Sequence, residues 1–192
     1  MRKVVVYELI SLDGVAENPD QFITEWDDVM QAQLNRMIAT QDDVVLGRRS
    51  YEEWARFWPT SDVQPFADFI NGVDKHVVTS RPLDPPWSHA TPVSGEPAEV
   101  VRRLRIEPGR DIGIHASLSV ARSLLTAGVV TNLHLVVAPT VVGGGHLLLA
   151  GLPPMRLTLR ESTTSPSGYL ILDFDVAARS DELATVLPGA DR

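Results

Sequence analysis

At Gly47 the hydrophobic period of the chain changes. Before it, Val44-Val45-Leu46 is a short apolar run of the kind that suits a strand covered on both faces. After it, Tyr51, Trp54, Ala55 and Trp58 recur at i, i+3, i+4 and i+7, one face of a helix. A strand that ends in glycine and restarts as a helix aims unpaired backbone N–H groups at the space above the strand end, where anions bind. Arg48 and Arg49 fall in the first turn of this helix. A cation there opposes the helix dipole by roughly a few tenths of a kcal/mol or more. Two readings follow: a surface helix with two solvated arginines, or a site whose bound anion reverses the sign of that interaction.

The rest of the chain repeats the alternation. Val4-Val5-Val6-Tyr7 reads as a central strand that runs out into the turn-type cluster Ser11-Leu12-Asp13-Gly14. Trp26, Val29, Met30, Leu34, Met37 and Ile38 predict a helix from Asp27 to Thr40, and Phe66, Phe69, Ile70 and Val73 a shorter one with Pro65 at its first turn. Lys75 to Thr79 is an expected strand. Residues 82–95 carry Pro82, Pro85, Pro86, Pro92 and Gly95 and read as a loop. Pro97 opens a helix through Leu104, and Asp111 to His115 reads as a strand. Ser117 can cap a helix bearing Leu118, Ala121, Leu124 and Leu125, which Gly128 stops.

From Leu133 onward only strands are expected. They are Leu133 to Ala138, an alternating stretch through Met155, Leu157 and Leu159, and Tyr169 to Val176 after the hairpin loop Ser165-Pro166-Ser167-Gly168. The expected class is α/β: three layers, helices on both faces of a mixed, mostly parallel sheet, and a C-terminal antiparallel hairpin. One domain spans 1–176, and a polar, loose tail spans 177–192.

Composition removes several function classes. A formal charge of −8 and a pI near 5.0 argue against nucleic acid as partner, since phosphate contacts need a basic face. The absence of cysteine excludes disulfides, thiolate metal sites and a cysteine nucleophile. The five histidines at 76, 89, 115, 134 and 146 have no ligand spacing, so no metal is expected. No apolar run approaches ~18 residues, so no membrane partner is expected either. The expectation is a cytoplasmic protein acting on a small molecule. The apolar edge of the C-terminal hairpin makes a homodimer plausible. Gly143-Gly144-Gly145 lacks the Lys and Ser/Thr of a Walker loop and reads as a sharp chain reversal.

Three junctions at strand ends carry phosphate-friendly groups: Gly47-Arg48-Arg49-Ser50, Thr79-Ser80-Arg81, and His115-Ala116-Ser117-Leu118-Ser119. Ligands of open α/β sheets sit beyond the carboxyl ends of the strands, so the three can converge on one crevice. Three anion corners suit a pyrophosphate plus a further phosphate. That describes NADPH better than NADH, with Ser80 and Arg81 as candidates for the ribose 2′-phosphate. From the residues alone the reading ends at a phosphorylated ligand and gives no reaction.

Ser11-Leu12-Asp13-Gly14, Gly47 to Glu52, Val77 to Ser80, and Ala116-Ser117 followed by Gly128, Pro139 and Gly143 to Gly145 occur in an order that resembles the dihydrofolate-reductase-like superfamily. The closer resemblance is to the branch of the riboflavin-biosynthesis reductase domain, the RibD C-terminal-domain-like proteins. It covers residues 3 to 176.

The resemblance implies an NADPH-dependent reductase that transfers hydride to a small nitrogen heterocycle or a ribosylaminopyrimidine, as a 5-amino-6-(5-phosphoribosylamino)uracil reductase does. Gly47, Arg48, Arg49 and Ser50 would then hold the pyrophosphate, and Thr79, Ser80 and Arg81 the 2′-phosphate. Ala116, Ser117, Leu118 and Ser119 would form the second phosphate turn. Asp13, Gly14 and Tyr51 would border the substrate pocket, with Asp13 as the candidate catalytic group.

Three departures stand against this pattern. Ala116 replaces the family's usual glycine, and Thr131-Asn132 replaces an Asp-Glu pair. Around Asp27, Asp28 and Gln31 no acid aligns with the one that contacts pterin in dihydrofolate reductases proper. A non-catalytic nucleotide-binding protein that keeps the crevice is the alternative.

Overall fold

The computed structural model describes residues 1–177. Strand β1 (Val4–Ser11) lies inside the sheet because it is apolar on both faces. Val4, Val6 and Ile10 belong to one core cluster and Val5 to another. The remaining strands are β2 (Gln41–Gly47), β3 (Asp74–Val78), β4 (Ala90–Val93), β5 (Asp111–His115), β6 (Asn132–Ala138), β7 (Leu157–Thr164) and β8 (Leu170–Val176). They form one eight-stranded sheet in the order β4-β3-β2-β5-β1-β6-β8-β7. The pairings from β4 through β6 are all parallel; β8 pairs antiparallel with both β6 and β7.

Among the described residues five α-helices cover the two faces: α1 (Asp28–Ile38), α2 (Arg48–Phe57), α3 (Phe66–Gly72), α4 (Pro97–Ile106) and α5 (Leu118–Thr126). Buried side chains of α4 and α5, such as Val101, Leu104, Ala121 and Leu124, join Val4, Val6, Val45 and Ile114 in one core. Leu34, Tyr51, Ala55 and Ile70 of α1, α2 and α3 join Val5, Val44, Leu46 and Val77 in the other. The sheet is therefore covered on both sides, as parallel sheets require. Each half-buried helix adds the burial of several aliphatic side chains at roughly 1.5–3 kcal/mol each before entropy is counted.

The α/β class and the C-terminal antiparallel hairpin agree with the sequence. Details differ. The helix expected from Asp27 to Thr40 is shorter by its ends, because Asp27 is the N-cap, accepting from Val29 N and Met30 N at 3.0 Å. Within the stretch read as a loop over 82–95, Ala90–Val93 forms edge strand β4, parallel to β3. Pro92 is tolerated there because an edge strand leaves one row of N–H groups unused. Most of the expected tail, from residue 178, lies outside the described residues. Among the described residues no helix is long and apolar enough to cross a membrane.

Candidate active site

Beyond Tyr7, β1 loses one neighbour. Its last pairing with β5 is Tyr7 with His115, whereas its pairing with β6 continues to Ser11 with Ala138. After His115 the chain turns away through Ala116 into α5. The notch so formed opens into a cavity of about 640 Å³ at the carboxyl ends of the strands. That is where open α/β sheets place their ligands. Trp26, Trp54, Trp58 and Phe66 line it with flat apolar surface, and α5 contributes Leu118, Ser119 and Arg122.

Of the helices that begin at this edge, α2 and α5 do so in an unusual way. Neither α2 nor α5 has a side-chain cap bond or an acidic residue in its first turn. The other three α-helices each carry one acid there: Asp28, Asp68 and Glu99. Uncapped N-termini without acids keep their N–H groups and positive dipole ends free for an external anion. Ser117, which could cap α5, instead accepts from Gly47 N at 3.0 Å. Ser50 Oγ donates to Ala116 O at 2.9 Å. The two helix starts are thereby stitched side by side. A Cβ on Gly47 would stand 3.3 Å from Val120 Cγ2, so glycine is what permits this close approach.

The third expected corner joins through Arg48. Its guanidinium pairs with Glu52 and donates to Pro82 O at 2.5 Å and Arg81 O at 3.4 Å, which ties the end of β3 to the start of α2. Arg49 is exposed at the cavity rim, 3.0 Å from Glu53 and 3.5 Å from Glu17. Of the residues expected at the cofactor, Arg49, Ser50, Ala116, Leu118 and Ser119 line the cavity. Gly47, Arg48 and Ser117 stand directly behind them. Thr79 accepts from Arg81 N at 3.2 Å in a turn just outside, with Ser80 and Arg81 exposed. Ala116 has φ +51°, a left-handed conformation that costs a non-glycine residue about 1–2 kcal/mol.

The residues expected at the substrate side are placed differently. Asp13 does not line the cavity. Its carboxylate accepts from Ser11 Oγ at 2.6 Å, Gly143 N at 2.8 Å and Val142 N at 3.1 Å. These bonds, the one from Ser11 first, pull its pKa down to about 2, so at neutral pH it holds no proton to give. The catalytic expectation for Asp13 gives way to a structural task. It ties the loop after β1 to the Gly143-Gly144-Gly145 reversal, helped by Leu148 N donating to Gly14 O and by the Val15–Leu147 bridge. Tyr51 also lies off the cavity: it is fully buried, and its hydroxyl donates to Pro85 O at 2.6 Å.

Two other side chains take the places nearest the notch. His115 is buried beside the rings of Tyr7, Phe66 and Phe69, with Nε2 2.8 Å from Gln41 Oε1. Gly113 makes room for that bond, since a Cβ there would overlap Gln41 Oε1 at 2.0 Å. Burial pushes the His115 pKa down to about 3, so the ring is neutral. Glu8 went unnoticed in the sequence. It is 4% exposed, lines the cavity, and its Oε1 has no hydrogen-bond partner among the described residues. Burial pushes its pKa up to about 8. The available signal was one acid inside the run Val4 to Ile10, which is otherwise apolar or aromatic.

Known proteins share this architecture. The family model of the RibD C-terminal domain matches residues 2–171. The chain is 24% identical over 184 residues to YyaP, an uncharacterised protein of Bacillus subtilis strain 168, covering 88% of this chain and 92% of that protein. A candidate riboflavin biosynthesis protein from Shewanella sp. PV-4 superposes with a TM-score of 0.74 at 13% identity, over 91% of this chain and 99% of its own. A pyrimidine reductase-like protein from Corynebacterium diphtheriae does so with a TM-score of 0.66 at 15% identity, over 92% of each chain. With a match over most of its length and the same sheet, the chain belongs to the RibD C-terminal domain family, within the dihydrofolate-reductase-like fold.

Proposed function

We propose that this protein is an NADPH-dependent reductase of a small, flat, nitrogen-containing substrate, of the ribosylaminopyrimidine type or a related heterocycle. The observation that carries the reading is the pair of adjacent uncapped, acid-free helix starts at the cavity, with Arg48 and Arg49 on one of them. A dinucleotide pyrophosphate fits that arrangement: two free helix N-termini and the Arg49 guanidinium at the rim complement its charge, with Arg48 adding positive charge from behind. Thr79, Ser80 and Arg81 extend the same basic edge toward a 2′-phosphate, which favours NADPH over NADH. Reductases of the branch this chain resembles use NADPH, and when bound that cofactor supplies the hydride.

The protein's part is to orient. The Trp26, Trp54, Trp58 and Phe66 surfaces suit a planar ring, and their apolar character excludes water from the reacting atoms. The substrate class comes from the family and from this lining, and the cofactor from the helix starts.

Titration with NADPH and NADH, followed by quenching of the cavity tryptophans, tests the reading. Strong preference for NADPH is expected, and Arg48→Ala with Arg49→Ala should weaken it at least about tenfold, the loss of one to two charge-assisted hydrogen bonds. Unchanged affinity in the double variant would remove the pyrophosphate site. The Cβ of Ala116, standing at the cavity where the family has glycine, favours a second reading: a binding protein without turnover. Stoichiometric NADPH binding with no oxidation across pteridine, pyrimidine and flavin-precursor panels would select it.

A further inference from the structure

We propose that Glu8 is the proton donor of this cavity, delivering its carboxyl proton to a ring or imine nitrogen of the bound heterocycle. The inference rests on the reductase reading and adds the acid that reading lacks.

The geometry comes from unequal strand lengths. β5 ends at His115 while β1 runs on along β6, so Glu8 is the first β1 residue past the last β1–β5 pair, beside the notch, and it lines the cavity. Leu135, its register partner on β6, is apolar and buried. From α5 the charged group facing the cavity is Arg122, whose Nη2 donates to Ala150 O at 2.5 Å. From β5 it is His115, held neutral by burial and bonded to Gln41. From β1 itself it is Tyr7, whose phenol is raised by burial and by Glu8. At the rim, Glu17 is engaged with Arg49 and His146, and Glu53 with Arg49. Among the described residues none of these groups forms an ion pair with Glu8.

A carboxyl so placed is neutral at pH 7, with a proton to give and an oxygen that no group among the described residues satisfies. The cavity lining offers a planar heterocycle apolar faces and, among polar groups that include Gln31, Arg49, Glu53 and Arg122, the carboxyl of Glu8 with its buried, unpartnered oxygen. A ligand with an unprotonated ring nitrogen meets both. In the transfer the Glu8 O–H bond breaks and an N–H bond forms to the nitrogen lone pair. The adjoining carbon of the C=N bond becomes electron-poor and accepts the hydride of the reduced dinucleotide named above. Glu8 ends as a carboxylate and recovers its proton from water. A general acid tuned near the working pH is the arrangement that makes such a step fast, contributing on the order of 10²–10⁴-fold.

Infrared difference spectroscopy reads the proton directly, without turnover. The ligand-free protein at pH 7 should give the carbonyl stretch of one protonated carboxylic acid. That band should disappear with an apparent pKa near 8 and be absent in Glu8→Gln. Glu8→Leu, an apolar replacement suited to burial, serves should the amide fold poorly. Adding the basic heterocycle 2,4-diaminopyrimidine to the NADPH-loaded protein should abolish the band at pH 7 as the proton moves to the ring. A band missing from the free protein, or one that survives saturating 2,4-diaminopyrimidine, overturns the proposal. Failure of NADPH to bind, with the band present, would instead overturn the reductase reading and leave the state of Glu8 standing.

Discussion

The two edges of the sheet treat buried charge in opposite ways. At the amino edge, Arg2 is 5% exposed and fully engaged: it pairs with Asp42 and Asp43 and donates to Arg110 O at 2.5 Å. Asp43 also meets His76 at 2.5 Å, and Asp42 accepts from Arg110 N at 2.8 Å. At the carboxyl edge Glu8 is as well buried and has no partner for Oε1, two helices start without caps, and Ala116 is held left-handed. Both edges have the same sheet behind them. The difference shows where the chain uses polar groups to hold itself together and where it leaves them for something else. Unmet groups in a folded protein cost free energy, so an edge that carries the unpartnered Glu8 oxygen and two helix starts with neither cap nor acid is marked as the working one.

The contrast is sharpest in stability, and removing Arg2 should have the largest effect. Arg2→Leu leaves two carboxylates without their cation, and breaking a buried pair in this way costs roughly 3–5 kcal/mol. Asp42 and Asp43 keep 33% and 15% side-chain exposure, which places the expected loss in the lower half of that range. Chemical denaturation at pH 7 measures it. The acid side of the pH profile should change too. Burial alone would raise the Asp43 pKa, but hydrogen bonds from His76 and Arg2 and the Arg2 charge outweigh it and hold the carboxyl below its ordinary value. Its stabilisation is present above the ordinary carboxylate range and is lost as pH falls through the folded value, a slope that Arg2→Leu should flatten. A loss under about 1 kcal/mol would mean the amino edge is held by packing, not by its charges.

Glu8→Gln should come next in size and carry the opposite sign. Its pKa rises from 4.5 to about 8 on folding, so below pH 4.5 the group is neutral in both states and has no effect. Between those values the unfolded chain ionises while the folded one does not, and stability falls as pH rises. Above about 8 the deficit is complete and constant. Each tenfold difference in proton affinity between the folded and unfolded chain is worth about 1.36 kcal/mol. The amide should therefore stabilise the protein at pH 7 by on the order of 3 kcal/mol and leave it unchanged at pH 4. Thermal or urea unfolding across that range decides it. Parallel profiles for the two proteins would show that Glu8 is solvated or paired after all.

The sequence carried the working edge in its helix starts far better than in its acids. Gly47 and the residues after it changed period so clearly that the β2–α2 corner could be read locally, the β3 and β5 corners showed in their phosphate-friendly residues, and the resemblance added only their roles. Asp13 was conspicuous because it sits in a turn next to glycine, yet a turn acid ordinarily binds backbone N–H groups, and this one does. Glu8 was quiet for a different reason. What covers a strand side chain is decided by distant elements, and the β5 end and α5 start that border the cavity beside Glu8 lie more than a hundred residues away in sequence. Strand β4 was hidden by Pro92, which signals a loop anywhere except at a sheet edge. Tyr51 keeps helical spacing with Ala55 and belongs to the core for that reason, although it follows the cofactor corner directly.

The smallest expected effect belongs to Ala116, and it concerns the working edge alone. A left-handed alanine costs about 1–2 kcal/mol, and Ala116→Gly should remove most of that strain. Glycine's greater freedom in the unfolded chain returns roughly 0.5–1 kcal/mol, so the net gain in stability should be under about 1 kcal/mol. The more telling readout is ligand affinity. Ala116 is exposed at the cavity, and its carbonyl is fixed by Ser50 Oγ at 2.9 Å, so the turn keeps its shape when the Cβ is removed. If a dinucleotide passes close to this turn, NADPH should bind the glycine variant several-fold more tightly while its preference over NADH stays the same. Gained stability with unaltered NADPH affinity would show that the Cβ points into free space, and that the departure at Ala116 leaves the cofactor corner intact.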